Sequence, residues 1–178
     1  MAPARARNPA RPAWPDRLYA ELRAGGVSQF AYVPDAGHAV LIARALADRD
    51  VQAIALTTEE EGVALLAGAD LGGARGVLLM QSSGVGNCIN MLSMIKSGRF
   101  PFLTLVSMRG DFGEGNPWQV PMGQATETVL GAMGVVCLRV DAPGAVVPTA
   151  RAALTMAFGA GNAVAVLLTQ KLIGAKKF

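Results

Sequence analysis

Cysteine and histidine are nearly absent, with two of the first and one of the second in 178 residues. Cys88 and Cys137 sit inside apolar segments and not at metal-ligand spacing, and His38 alone cannot build a histidine site, so no metal site is expected. Both thiols are expected to be reduced and buried, as in a cytoplasmic protein. Charge is scarce too, at 16% of residues against 52% hydrophobic, which excludes a disordered chain. No apolar run approaches the ~18 residues needed to cross a bilayer. The longest candidates, PFLTLV at 101–106 and AVAVLL at 163–168, have the length of buried strands. The glycine-rich phosphate loop ending in Gly-Lys-Ser/Thr is missing, which excludes that nucleotide site. So is the Gly-x-Ser-x-Gly elbow, which leaves a Ser–His–Asp triad unsupported.

The net charge of +3 hints at an anionic partner, but its position weakens the hint. Arg5, Arg7 and Arg11 lie in the first twelve residues with no acid among them. Without those three, the basic and acidic residues balance. The segment MAPARARNPARP has almost nothing to bury, so residues 1–13 read as a disordered basic tail. Residues 14–178 then form one domain, long enough to bury roughly 70% of its unfolded surface. The body has no basic stripe with interleaved aromatics, so neither nucleic acid nor membrane is expected as a partner.

Strand-like and helix-like patterns alternate along that body. Apolar runs rich in β-branched residues recur at 30–33, 52–56, 76–80, 102–106, 135–140 and 163–169. Between them, helical spacing predicts helices over 14–24, 39–47, 60–71, 87–96, 122–133 and 144–158. Continuous apolar strands separated by helices imply a mostly parallel sheet covered on both faces. The expected fold is a three-layer α/β/α domain with six strands.

Four segments can carry chemistry. Thr57-Thr58-Glu59-Glu60-Glu61-Gly62 follows a strand and opens a helix. Its carboxylates either serve the helix start or direct one group into a site, since helical periodicity lets only one or two face inwards. Met80 to Asn87 reads as a strand, a small-residue turn and a helix start, suited to an acceptor or anion. Its third fingerprint position is Ile89 and not glycine, so the dinucleotide motif fails. Val33 to His38 lies at another strand end. Arg109, in the long segment 109–121, either meets an anionic substrate or pairs with Asp111 or Glu114. Arg109 and Lys96 are the basic residues expected near these loops.

Taken together, YVPDAG (32–37), TTEEEGVALLAGADLGG (57–73), LLMQSSGVGNCIN (78–90), LVSMRGDFGE (105–114) and MGQATETVLGAMGV (122–135) resemble a known family. It is the pyrimidine-binding domain of thiamine-diphosphate-dependent 2-oxo acid decarboxylases, most nearly sulfopyruvate decarboxylase alpha subunits and then phosphonopyruvate decarboxylases. The likeness covers roughly residues 15–170, with the segments in family order. The family glutamate lies nine residues before the glycine of an Ala-Gly pair, here Gly68, and so falls on Glu59. The resemblance implies that Glu59 hydrogen-bonds the ring nitrogen of the cofactor's aminopyrimidine and so promotes loss of the thiazolium proton. The cofactor then accepts the electrons released with CO2. By the same resemblance, Pro34, Gln81, Ser82, Ser83, Gly84, Val85, Gly86 and Asn87 line the cofactor pocket. Asp35, His38, Arg109 and Gln124 fall on the substrate side.

Family enzymes hold Mg2+ and the diphosphate on a second domain whose motif begins Gly-Asp-Gly, and no such segment occurs in this sequence. The resemblance therefore implies a diphosphate-binding beta subunit that carries the motif and holds Mg2+, in a hetero-oligomer such as α2β2 or higher. The substrate reads as a small 2-oxo acid. Arg109 suits a sulfonate or phosphonate, and Trp118 and Phe112 suit an apolar acid. A carboligase subunit resembling acetolactate synthase, and a non-catalytic partner module of the same fold, stay open beside the decarboxylase.

Overall fold

The computed structural model describes residues 14–175, so the tail predicted for residues 1–13 lies outside the described residues. Helix α1 (Trp14–Ala24) buries Trp14, Leu18 and Leu22, the four-residue spacing of one helical face. Strand β1 (Val27–Tyr32) leads through a 3-10 turn at Ala36–His38 into α2 (Ala39–Ala47). Then come β2 (Gln52–Ala55), α3 (Glu59–Leu71) and β3 (Arg75–Gln81). Two short helices, α4 (Ser82–Cys88) and α5 (Leu92–Gly98), precede β4 (Phe102–Ser107). A long loop ends in a 3-10 turn at Pro117–Gln119 and enters α6 (Val120–Ala132). The chain closes with β5 (Val136–Val140), α7 (Val146–Leu154) widening into a π turn, β6 (Ala163–Leu168) and α8 (Gln170–Ile173).

All strand pairs among the described residues are parallel, in the order β2-β1-β3-β4-β6-β5. Successive side chains on a strand point to opposite faces, which divides the core in two. Phe30, Leu79, Leu105 and Val166 pack with α1, α2 and α7. Ala31, Leu78, Met80, Val106 and Leu167 pack with α3, α4, α5 and α6. The expected three-layer, six-stranded α/β arrangement is therefore observed. Its strand order reverses between β1 and β3, and in open parallel sheets the crevice at such a reversal, beyond the carboxyl ends, is where ligands bind.

One local expectation is corrected. The segment Gln81–Asn87 is no turn, because α4 begins at Ser82, directly after β3. The helix predicted for 87–96 is instead two helices with a break at 89–91. Serine and glycine are weak helix formers, so propensity argued against α4. Tertiary contacts override it. Ser82 Oγ accepts from the Arg109 N–H at 3.0 Å, and the bare face of Gly84 admits the Glu59 side chain.

Candidate active site

The three successive glutamates have three different fates. Thr58 has extended backbone angles before α3 but makes no side-chain cap bond. Glu61 reaches back instead, and its Oε2 accepts from the Thr57 N–H at 2.9 Å. Glu60 is exposed. Glu59 turns inward and is only 8% exposed. Its Oε2 accepts from Asn87 Nδ2 at 2.8 Å. A Cβ on Gly84 would stand 2.3 Å from Glu59 Oε1, so the carboxylate rests directly on the α4 backbone. Among the described residues Oε1 has no hydrogen-bond donor.

Asp35, after β1, ties together the reversal point of the sheet. Its carboxylate accepts from Ser107 Oγ at 2.6 Å, Gln81 Nε2 at 3.0 Å and the Gly37 N–H at 2.9 Å. Burial opposes ionisation of Asp35, but the Ser107 hydroxyl and the other partners outweigh it and hold its pKa below the ordinary value. Gln81 in turn accepts from Ser83 Oγ at 2.9 Å. Side chains from the ends of β1, β3 and β4 thus form one network. A cavity of about 120 Å³ opens beside it, bounded by Asp35, Ser107, Arg109 and Gly174 among others.

His38 lies inside the protein and does not face that opening, a correction to its expected substrate-side position. The ring is fully buried, with Nε2 3.1 Å from the Met80 carbonyl and Nδ1 unpartnered. Burial drives its pKa below the usual value, partly offset by Asp35, so the ring is held neutral.

Arg109 takes the second of its two predicted roles. It grips Glu114 with both fork nitrogens, at 2.5 and 2.7 Å. The two side chains are 9% and 2% exposed. Hydrogen bonding to Arg109 draws the Glu114 pKa down to about 2, and the Arg109 pKa is raised in return. Gln170 Nε2 donates to Glu114 at 3.0 Å, while its Oε1 accepts from the Asp111 and Phe112 N–H groups.

The remaining predicted residues are more scattered. Val85 is buried in the core beneath α4. Gly86 faces Met122 of α6. Pro34 is exposed and borders a shallow groove against α2. Gln124 is exposed on α6, one residue past Gly123, where a Cβ would collide with the Arg109 carbonyl. Lys96 lies at the far end of the sheet, beside Gly134, and not near these loops. Beyond Ser83, a groove of about 670 Å³ runs along Asn116, Pro117, Trp118, Pro121 and Met122. Trp118 is 83% exposed.

Sequence reasoning missed Ser107 and Gln170. The signal for both was available: each is a polar residue at or just past the end of an apolar strand. Among the described residues no three His, Cys, Asp or Glu side chains cluster as a metal site, and no helix is long and apolar enough to cross a membrane.

No protein-family model matches the chain. The sequence is 40% identical over 116 residues to sulfopyruvate decarboxylase subunit alpha of Methanococcus maripaludis, covering 65% of this chain and 70% of that protein. The Methanocaldococcus jannaschii subunit of the same name is 37% identical over 114 residues, 64% of this chain and 68% of its own. Phosphonopyruvate decarboxylase of Streptomyces hygroscopicus is 35% identical over 116 residues, but this chain matches only 29% of its length. Among solved structures, 2-oxoglutarate:ferredoxin oxidoreductase from Magnetococcus marinus shares the fold. Its TM-score is 0.72 at 18% identity, over 89% of this chain and 29% of that one.

Proposed function

This chain belongs to the family of sulfopyruvate decarboxylase alpha subunits, and from that premise we propose that it is the pyrimidine-binding subunit of a heteromeric, thiamine-diphosphate-dependent 2-oxo acid decarboxylase. The substrate is sulfopyruvate or a close phosphonopyruvate-like anion. The observation that carries this reading is Glu59, a nearly buried carboxylate with one oxygen tied by Asn87 and the other left without a donor.

The residues present fit an aminopyrimidine. A ring nitrogen of that group needs a carboxyl that can hold a proton at one defined oxygen, and Glu59 offers Oε1. When bound, thiamine diphosphate supplies the carbon nucleophile and the electron sink of the decarboxylation. Glu59 holds and releases the proton at Oε1, and Asn87 fixes the carboxylate so that the exchange uses that oxygen. Gly84, lacking a Cβ, lets the carboxylate rest against α4. The Asp35–Gln81–Ser83 network stiffens the wall of the site. Trp118 and Pro117 present apolar surface that excludes water once covered. An anionic substrate meets Arg109 only by exchanging Glu114 for it.

A beta subunit bearing the Gly-Asp-Gly motif completes the site by holding the diphosphate and Mg2+, in an α2β2 or larger assembly. The relatives' designation as alpha subunits supports a second chain. The enzyme works in the cytoplasm, where Cys88 and Cys137, both free, stay reduced.

The test is co-expression with a chain carrying the Gly-Asp-Gly motif, followed by assay of CO2 release from sulfopyruvate. Turnover should require both chains, and Glu59→Gln should lower it by about 10²-fold or more. Full activity in Glu59→Gln would refute the assignment, and carbon–carbon bond formation from pyruvate and an aldehyde would identify a carboligase instead.

A further inference from the structure

The amino ends of β4, β6 and β5 lie side by side at the end of the sheet away from Glu59. The segments that lead into these strands, together with α5, bound a cavity of about 280 Å³. This is just under the ~300–1,000 Å³ of typical ligand pockets, which suits a small metabolite better than a dinucleotide. Its wall is two-natured. Leu92, Phe100 and Met133 give it an apolar side, and Lys96, Arg99 and Asn162 a polar one. No acidic residue lines it, and neither cation joins an ion pair among the described residues. The Lys96 ammonium is directed over Gly134, whose absent Cβ would stand 3.6 Å from Nζ.

The backbone supplies an independent observation. Arg99 follows α5 in the left-handed conformation, with φ 56°. The other positive-φ positions among the described residues are all glycine. That conformation penalises any side chain with a Cβ, and glycine is the default there. A cation near a helix carboxyl end is ordinary in any backbone conformation. That does not account for arginine in the one position where this chain otherwise places glycine.

We propose that this cavity binds a small amphiphilic anion. A carboxylate, phosphate or sulfonate head meets Lys96 and Arg99, and an apolar body lies against Leu92, Phe100 and Met133. Arginine is kept at the strained position because its fork holds the anion. The site is independent of the decarboxylase reading, since it shares no residue with the Glu59 region.

Phenylphosphate is the probe, titrated into the isotope-labelled full chain and followed by backbone amide resonances. The amides of Arg99, Gly134 and Gly161 should shift, and those of Gly37 and Gly84 should not. Phenol and inorganic phosphate, each lacking one half of the probe, should bind more weakly. Lys96→Met and Arg99→Gly should each weaken phenylphosphate by about ten-fold. Arg99→Gly should also raise Tm by relieving the backbone, so its lost affinity cannot be assigned to unfolding. The proposal fails if the shifts fall at Gly37 and Gly84, or if phenol binds as tightly as phenylphosphate. It also fails if Arg99→Gly raises Tm and leaves affinity unchanged. Equal affinity for inorganic phosphate would overturn the apolar half of the site.

Discussion

The region around Glu114 and the region around Glu59 each bury a carboxylate at the carboxyl end of the same sheet. Glu114 is saturated: it accepts two bonds from Arg109, one from Gln170 and others from the Gly110 and Asn116 N–H groups. Glu59 accepts one, from the neutral amide of Asn87. A carboxylate whose acceptor sites are filled is a fastening, because no ligand can reach it without breaking bonds already made. One with an acceptor oxygen still open can take a donor from a ligand without breaking a bond already made. The contrast distinguishes the group that holds the loop from the group proposed to do chemistry.

The sharpest way to break this comparison is to remove the fastening. Glu114→Ala strands the Arg109 charge and should destabilise the chain by about 3 kcal/mol in a denaturant titration. That is the lower end for a broken buried pair, because the loop carrying Glu114 lies near the surface. The same pair predicts a pH dependence. Glu114 ordinarily ionises near 4.5 and is drawn down to about 2. Its contribution is therefore complete above about pH 4.5 and is lost as pH falls toward 2. Stability measured down that range should slope less steeply in Glu114→Ala than in the parent.

Glu59→Gln should do the opposite: about 10²-fold or more off the assembled enzyme's rate, with melting nearly unchanged because no ion pair is broken. Gly84→Ala sharpens the point with no change of charge. The added Cβ, 2.3 Å from Glu59 Oε1, must push the carboxylate aside. Alanine improves helix propensity by up to ~1 kcal/mol, so stability should hardly fall while the rate drops by roughly ten-fold or more. The smallest effect belongs to Glu60→Gln, within ~0.5 kcal/mol in stability and without effect on the rate, because Glu60 is exposed. A large loss there would mean that the wrong glutamate has been placed in the site.

The sheet was legible because its strands are continuous apolar runs between helical patterns, and each of the six expected runs became a strand. Helix α4 was not, because Ser82, Ser83, Gly84 and Gly86 form a helix only through contacts made elsewhere in the fold. His38 sits on a segment that reads as a loop, and only the packed structure shows its ring inside. Lys96 read as a neighbour of the site loops, yet α5 carries it back toward the other end of the sheet. The Asp35–Ser107 bond joins residues 72 apart in the chain, a separation at which no local pattern carries information.

The amino-acid order by itself determined the α/β class, the number of strands and the short stretch in which the proposed catalytic carboxylate lies. Those properties rest on periodicity and turn residues, which near neighbours decide. Tertiary structure alone decided which acid takes Arg109, how deeply His38 is buried and which cations gather at the opposite end. Each of those outcomes depends on where the strand order 2-1-3-4-6-5 brings distant side chains, and on what burial then requires of them.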